Sequence, residues 1–185
     1  MDLMISVGLI AVVLLAVWAV ATNNSFVRAR NKVDEAWSGI DVQLKRRHDL
    51  VPNLVETVKG YAQHERETLT AVTEARAEAI AAVDPDGVAQ AEAKLTSALG
   101  GIHAVAEQYP ELRASDEFRE LEGQLALLET EIQAARRIYN ANVQAYNTRI
   151  QIFPNSLIAG RSFEARRFFQ LDSPAERAVP AVAFS

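Results

Sequence analysis

At 185 residues, with 49 % hydrophobic and 23 % charged positions, the chain is long enough for one domain with a buried core. It contains no cysteine, which excludes disulfides and thiolate metal sites. Its net charge of −5 argues against a nucleic-acid partner.

The first element is "LMISVGLIAVVLLAVWAVA", residues 3–21, which carries no charge. A helix of roughly 20 such residues crosses a hydrocarbon core of about 30 Å. Residues 1–22 therefore read as a transmembrane anchor, and a single-pass protein is expected. The rival is a cleavable signal peptide, suggested by Ala19 and Ala21 before a polar "TNNS". Against it, no Lys or Arg precedes the run, which exceeds the roughly 7–15 apolar residues of a signal core. Arg28, Arg30 and Lys32 follow the span, so the bias of positive charge places the tip outside and the body in the cytoplasm. A periplasmic body is the alternative, because long domains translocate despite such charge. Farther along, residues 22–60 hold seven Lys/Arg against five Asp/Glu, 61–135 five against fifteen, and 136–185 seven against three. If the chain leaves the membrane and returns, its near end is basic and its far end acidic.

From residue 23 the pattern predicts an all-α fold, an antiparallel long-helix bundle with coiled-coil-like packing to about residue 160. Phe26, Val33, Trp37, Ile40, Leu44, Val51, Leu54, Val58 and Tyr61 recur in steps of three, four and seven. Pro52 lies inside this series without shifting its phase. The spacing thus predicts one helix over about 25–82, bent at Pro52, with Asp49 capping the amides freed there. "VDPDG", residues 83–87, reads as a turn, and a weaker alanine-rich helix interrupted by Gly100 and Gly101 follows over 88–109. The last long helix is predicted over 116–153, with Ser115 as N-cap and a core row of Phe118, Leu121, Leu125, Leu128, Ile132, Ala135, Tyr139, Asn142 and Tyr146. Equal rise along antiparallel helices sets residue 26 against the region of 153, and Trp37 against that of Asn142 and Tyr146. Residues 161–185 form a C-terminal tail.

The anchor, "EAWSGIDVQLKRRHDLVPNLVETVKGYAQHERETLTAVTEARA" and "ARRIYNANVQAYNTRIQIFPNSLIAG" together resemble the LemA family of bacterial membrane proteins over residues 3–170. The resemblance implies a bacterial inner membrane, an N-terminal transmembrane helix with a short external tip, and a bundle of long helices. It implies no established enzyme activity and carries over no catalytic residue. Relatives that include a protein of magnetosome membranes, and the frequent company of membrane proteases, imply a role in membrane organisation.

Three residue groups are candidates for more than architecture. Lys45, Arg46, Arg47 and His48 are crowded before Pro52. Arg47 falls where the heptad expects a core residue, so one reading pairs it with Glu129, Glu131 or the carbonyls at the bend. The other reading makes the four a site for phosphate or anionic lipid. Asn142 replaces a core hydrophobe, and a seam amide fixes register at some cost in stability. With Tyr139, Tyr146 and Asn147 it also outlines a partner-binding patch. In the tail, Arg166, Arg167, Phe168 and Phe169 suit an amphipathic segment at the membrane interface, with packing back on the bundle as the alternative. His48, His64 and His103 are too scattered to bind a metal, and Ser25, Ser38 and Ser156 lack an adjacent activating base. No catalytic residue, metal or cofactor is therefore expected. The expected function is a non-enzymatic scaffold or adaptor that self-associates, in company with membrane proteins such as a membrane protease; an anionic lipid- or ligand-binding module is the alternative.

Overall fold

The computed structural model describes residues 2–160 and 162–170. Its helices are α1 (Asp2–Tyr61), α2 (Arg66–Ala81), α3 (Pro85–Gln108), α4 (Pro110–Ala114), α5 (Asp116–Gln151) and α6 (Ser156–Ala159), with no strand among the described residues. The chain divides into two compact units, Met1–Ile40 with Ala135–Phe168 and Asp41–Ala134 with Phe169–Ser185, so α1 and α5 each contribute to both.

In the first unit, α1 opens with an apolar stretch long enough to cross a membrane, and none of it is buried within the structure. A core helix of a soluble protein would bury such a stretch. Beyond it α1 and α5 pack antiparallel, as contacts at both ends define. Arg149 Nη1 donates to Ser25 Oγ at 2.7 Å, and the Trp37 and Tyr139 rings meet edge-on at 5.3 Å. This register differs from the expected one by about a turn. The buried row of α5 is Tyr139, Val143, Tyr146 and Ile150, rather than one through Asn142. Asn142 is half-buried at the margin, where its Nδ2 donates to the Ile138 carbonyl one turn back. Steps of four then three satisfy the helical period as well as three then four, and the row with Val143 keeps the amide out of the core. The expected register-fixing role of Asn142 is thus corrected.

The second unit is a four-helix arrangement of the end of α1, α2, α3 and the start of α5. The helix expected over 25–82 is two helices. α1 ends at Tyr61, the chain turns through 62–65, and α2 runs back along α1 until Arg76 reaches His48. Buried Val58, Ala62, Leu69 and Val72 keep their helical spacing across this turn because both arms pack on one core. Tyr61, expected inside, is largely exposed, and Ala62 takes the inner place. α3 returns beside α2, with Lys94 on Glu78 at 2.6 Å. A Cβ at Gly101 would lie 3.1 Å from Thr68 Cγ2, so the glycine that looked like a helix weakness permits this close approach. "VDPDG" is also more than a turn. Asp84 caps α3 by accepting from the Gly87 amide at 3.0 Å, and Pro85 occupies the first turn, where a missing N–H costs nothing. Ser115 accepts from the Phe118 amide at 3.4 Å at the start of α5.

Pro52 sits inside α1 and has no N–H to give to the carbonyl four residues back, which is that of His48. The group left over is therefore a carbonyl, and its partner is a cation rather than Asp49. Arg76 Nε of α2 donates to His48 O at 2.7 Å. The proline thus supplies an acceptor through which α2 is fastened to α1. Replacing Arg76 by Met, which retains the apolar stem, is expected to lower unfolding stability by about 1–3 kcal/mol, the cost of an unsatisfied buried acceptor. Pro52→Ala is expected to stabilise α1 and, because its new amide serves the same carbonyl, to reduce the cost of Arg76→Met. A double-mutant cycle from circular-dichroism melts of the detergent-solubilised chain measures this coupling; additive effects would mean that Arg76 does not depend on the proline.

A buried polar layer and a clamped strap

The opening cluster is split by the helix. Lys45 and Arg46 face outward, with Arg46 Nη1 3.7 Å from Glu131, whereas Arg47 and His48 turn inward. The four therefore do not form one anionic-ligand site. Arg47 is only 5 % exposed, and its principal partner is one the sequence reading missed. Glu92 of α3 is 0 % exposed, with Oε2 3.2 Å from Arg47 Nη1 and Oε1 2.6 Å from His48 Nε2. Arg47 Nη2 also donates to Thr96 Oγ1 at 2.8 Å, and Nη1 lies 3.5 Å from Glu129 of α5. With Arg76 on the His48 carbonyl, the layer joins α1, α2, α3 and α5 inside the second unit. A charge this deep is tolerable only when paired and hydrogen-bonded, and no buried side-chain polar atom among the described residues lacks a partner. The missed signal was Glu92 at its own helical position, in the row Val88, Glu92, Leu95, Leu99 and Ile102. Nearby, burial pushes the Asp41 carboxyl above its ordinary value.

The second candidate group lies in the first unit. Tyr139, Tyr146 and Asn147 of α5 hold a non-helical strap, residues 162–168, which returns after α6 through Gly160 at φ +47. Tyr139 Oη donates to Arg167 O at 2.9 Å and Tyr146 Oη to Glu164 O at 3.0 Å. Asn147 binds Arg166 twice, its Nδ2 donating to the carbonyl at 2.9 Å and its Oδ1 accepting from the amide at 2.8 Å. The strap's side chains add an edge contact of Phe163 with Phe26 at 5.0 Å, and Arg166 Nη2 lies 3.2 Å from Asp34. Burial is the main reason that the Tyr146 phenol is pushed above its ordinary value, which keeps it a donor. The segment containing Arg166 and Arg167 is thus docked on the helices and is not an interfacial helix. Phe169 is fully buried, whereas Phe168 is 41 % exposed. The remainder of the expected tail, Arg161 and residues 171–185, lies outside the described residues. Among the described residues no group of three His, Asp or Glu side chains is placed to hold a metal ion.

A helical body tied by an internal polar layer, with an apolar helix long enough to span a bilayer, is the class of protein these features define. The sequence pattern of the LemA family matches residues 36–184. The chain is 30 % identical over 142 residues to Protein LemA of Metamycoplasma hominis, covering 76 % of this chain and 64 % of that protein. It is 25 % identical over 174 residues to the magnetosome protein MamQ 2 of Paramagnetospirillum magneticum, covering 80 % and 64 %. With MamQ of Magnetospirillum gryphiswaldense the identity is 22 % over 184 residues, covering 85 % and 68 %. The chain therefore belongs to the LemA family, and it spans just under two thirds of the length of the first two of these relatives.

Two outcomes are expected from substitution. Arg47→Leu leaves Glu92 buried beside His48 alone and is expected to cost about 3–5 kcal/mol; Arg47→Met with Glu92→Gln, which keeps an acceptor for His48, is expected to restore much of that loss in thermal melts. Asn147→Leu removes both hydrogen bonds to Arg166 and is expected to make the chain cleavable by trypsin at Arg166 or Arg167 under conditions in which the parent resists, as read by mass spectrometry of the fragments.

Proposed function

We propose that the chain is a single-pass protein of a bacterial inner membrane, with the start of α1 as anchor, its N-terminus outside and its helical body in the cytoplasm. The body works without catalysis, as a scaffold or adaptor that self-associates and organises membrane proteins, a membrane protease being one such partner. The observation that supports this most directly is the use made of the reactive side chains. Arg47, His48 and Glu92, the residues that most resemble a site, are buried against one another, so their binding capacity is spent on joining helices. The unburied apolar stretch of α1 supports the anchor, and Arg28, Arg30 and Lys32 after it support the orientation. The likeness to magnetosome proteins suits a role in organising a compartment.

The test is size-exclusion chromatography with light scattering on the detergent-solubilised full-length chain, beside the body from Asn23 onward. A discrete assembly of the full-length chain is expected. Monomers in both samples would remove self-association and leave an adaptor for a different protein.

A further inference from the structure

The turn between α5 and α6 exposes an apolar group that the anchor and the docked strap do not explain. Ile152, Phe153 and Leu157 are 50 %, 79 % and 72 % exposed. Their place in the first unit is fixed by the contact of Arg149 with Ser25. α5 runs antiparallel to α1 and ends at Gln151, two residues beyond Arg149, so the turn that carries Phe153 follows on the side of Ser25 that leads toward the apolar run. Resting on the anchor reading above, we infer that this corner enters the membrane interface beside the anchor, with Ile152, Phe153 and Leu157 among the upper acyl chains of the bilayer.

Two further features fit a lipid interface. Backbone entering a bilayer must satisfy its own polar groups. Here the amides of Ile152, Ser156, Leu157, Ile158 and Ala159 donate to carbonyls within residues 148–156, Pro154 has no amide, and Asn155 Nδ2 donates to the Arg149 carbonyl at 3.3 Å, which leaves the amides of Phe153 and Asn155 for the water and headgroups of the interface. The charge is also of one sign. Neither residues 3–33 nor residues 132–163 contain an acid, whereas Arg28 and Arg149 are exposed just beyond the apolar level. Guanidinium groups below inserted apolar side chains match anionic headgroups above a body of net negative charge. The second point of contact would hold the first unit upright against the bilayer, which one helix alone does not do.

The absence of cysteine permits a direct test. Phe153→Cys, Leu157→Cys, Val12→Cys in the anchor and Val83→Cys, 87 % exposed in the second unit, are each labelled with an environment-sensitive fluorophore in the full-length chain. The proteins are reconstituted into phosphatidylethanolamine–phosphatidylglycerol vesicles and probed with a nitroxide on the upper acyl chain and with aqueous iodide. Probes at 153 and 157 are expected to be quenched by the lipid nitroxide and to be severalfold less accessible to iodide than the probe at 83. If the probe at 12 meets lipid while those at 153 and 157 remain open to iodide, the inference fails and the anchor stands. If the probe at 12 does not meet lipid, the anchor reading fails and takes the inference with it. Probes at 153 and 157 shielded from both quenchers would overturn the inference in favour of a protein surface, a second copy of the chain, over the corner.

Discussion

The second unit depends on one carboxylate that has no access to water. Glu92 is fully buried, and a lone charge there would cost several kcal/mol, so it requires a cation and a second donor at the same depth. Adjacent residues 47 and 48 of α1 provide both, because two neighbouring positions on a helix reach opposite oxygens of one carboxylate. Thr96 then accepts a further hydrogen bond from Arg47, and Glu129 adds an ion pair. An apolar layer would hold the helices at least as tightly, but it tolerates sliding. A carboxylate that must meet two particular donors fixes the rotation and height of α3 against α1.

The first unit uses a different device for a similar end. Its strap has no regular structure of its own, and three side chains of α5 bind it chiefly through backbone carbonyls and one amide. Asn147 treats residue 166 as a neighbouring strand would, bonding both its amide and its carbonyl. The segment "YNANVQAYN" is thus explained by the chain it holds, and not by a ligand it awaits.

Much of the helix content, the long apolar helix at the N-terminus and the inward position of Arg47 were legible in the sequence, because each is a matter of local spacing. The reversal at 62–65 was not. Val58, Ala62, Leu69 and Val72 keep one phase whether the helix continues or folds back on the same core, and the turn contains neither proline nor glycine. The pairing of Arg47 with α3 is hidden because the alanines and Gly100–Gly101 make that segment look like a weak helix, in which a charge within the apolar row of Val88, Leu95 and Leu99 does not stand out. The sequence period allows Asn142 inside, because a choice between steps of three and four is settled by packing and not by period. The strap combines arginine and phenylalanine as interfacial segments do, and composition does not distinguish a bilayer from a groove between two helices.

Pro52 has a consequence for the order in which the molecule assembles. The interior of a helix ordinarily completes its backbone hydrogen bonds within itself, each N–H on the carbonyl four residues back. α1 lacks that autonomy at one place, since the His48 carbonyl receives its donor from a residue 28 positions farther along. Closing that bond requires the loop at 62–65 to have formed and α2 to be in register. The middle of α1 and the hairpin therefore mature as one cooperative event, and a nascent chain that has not yet delivered Arg76 carries a first helix with one carbonyl still waiting for its donor.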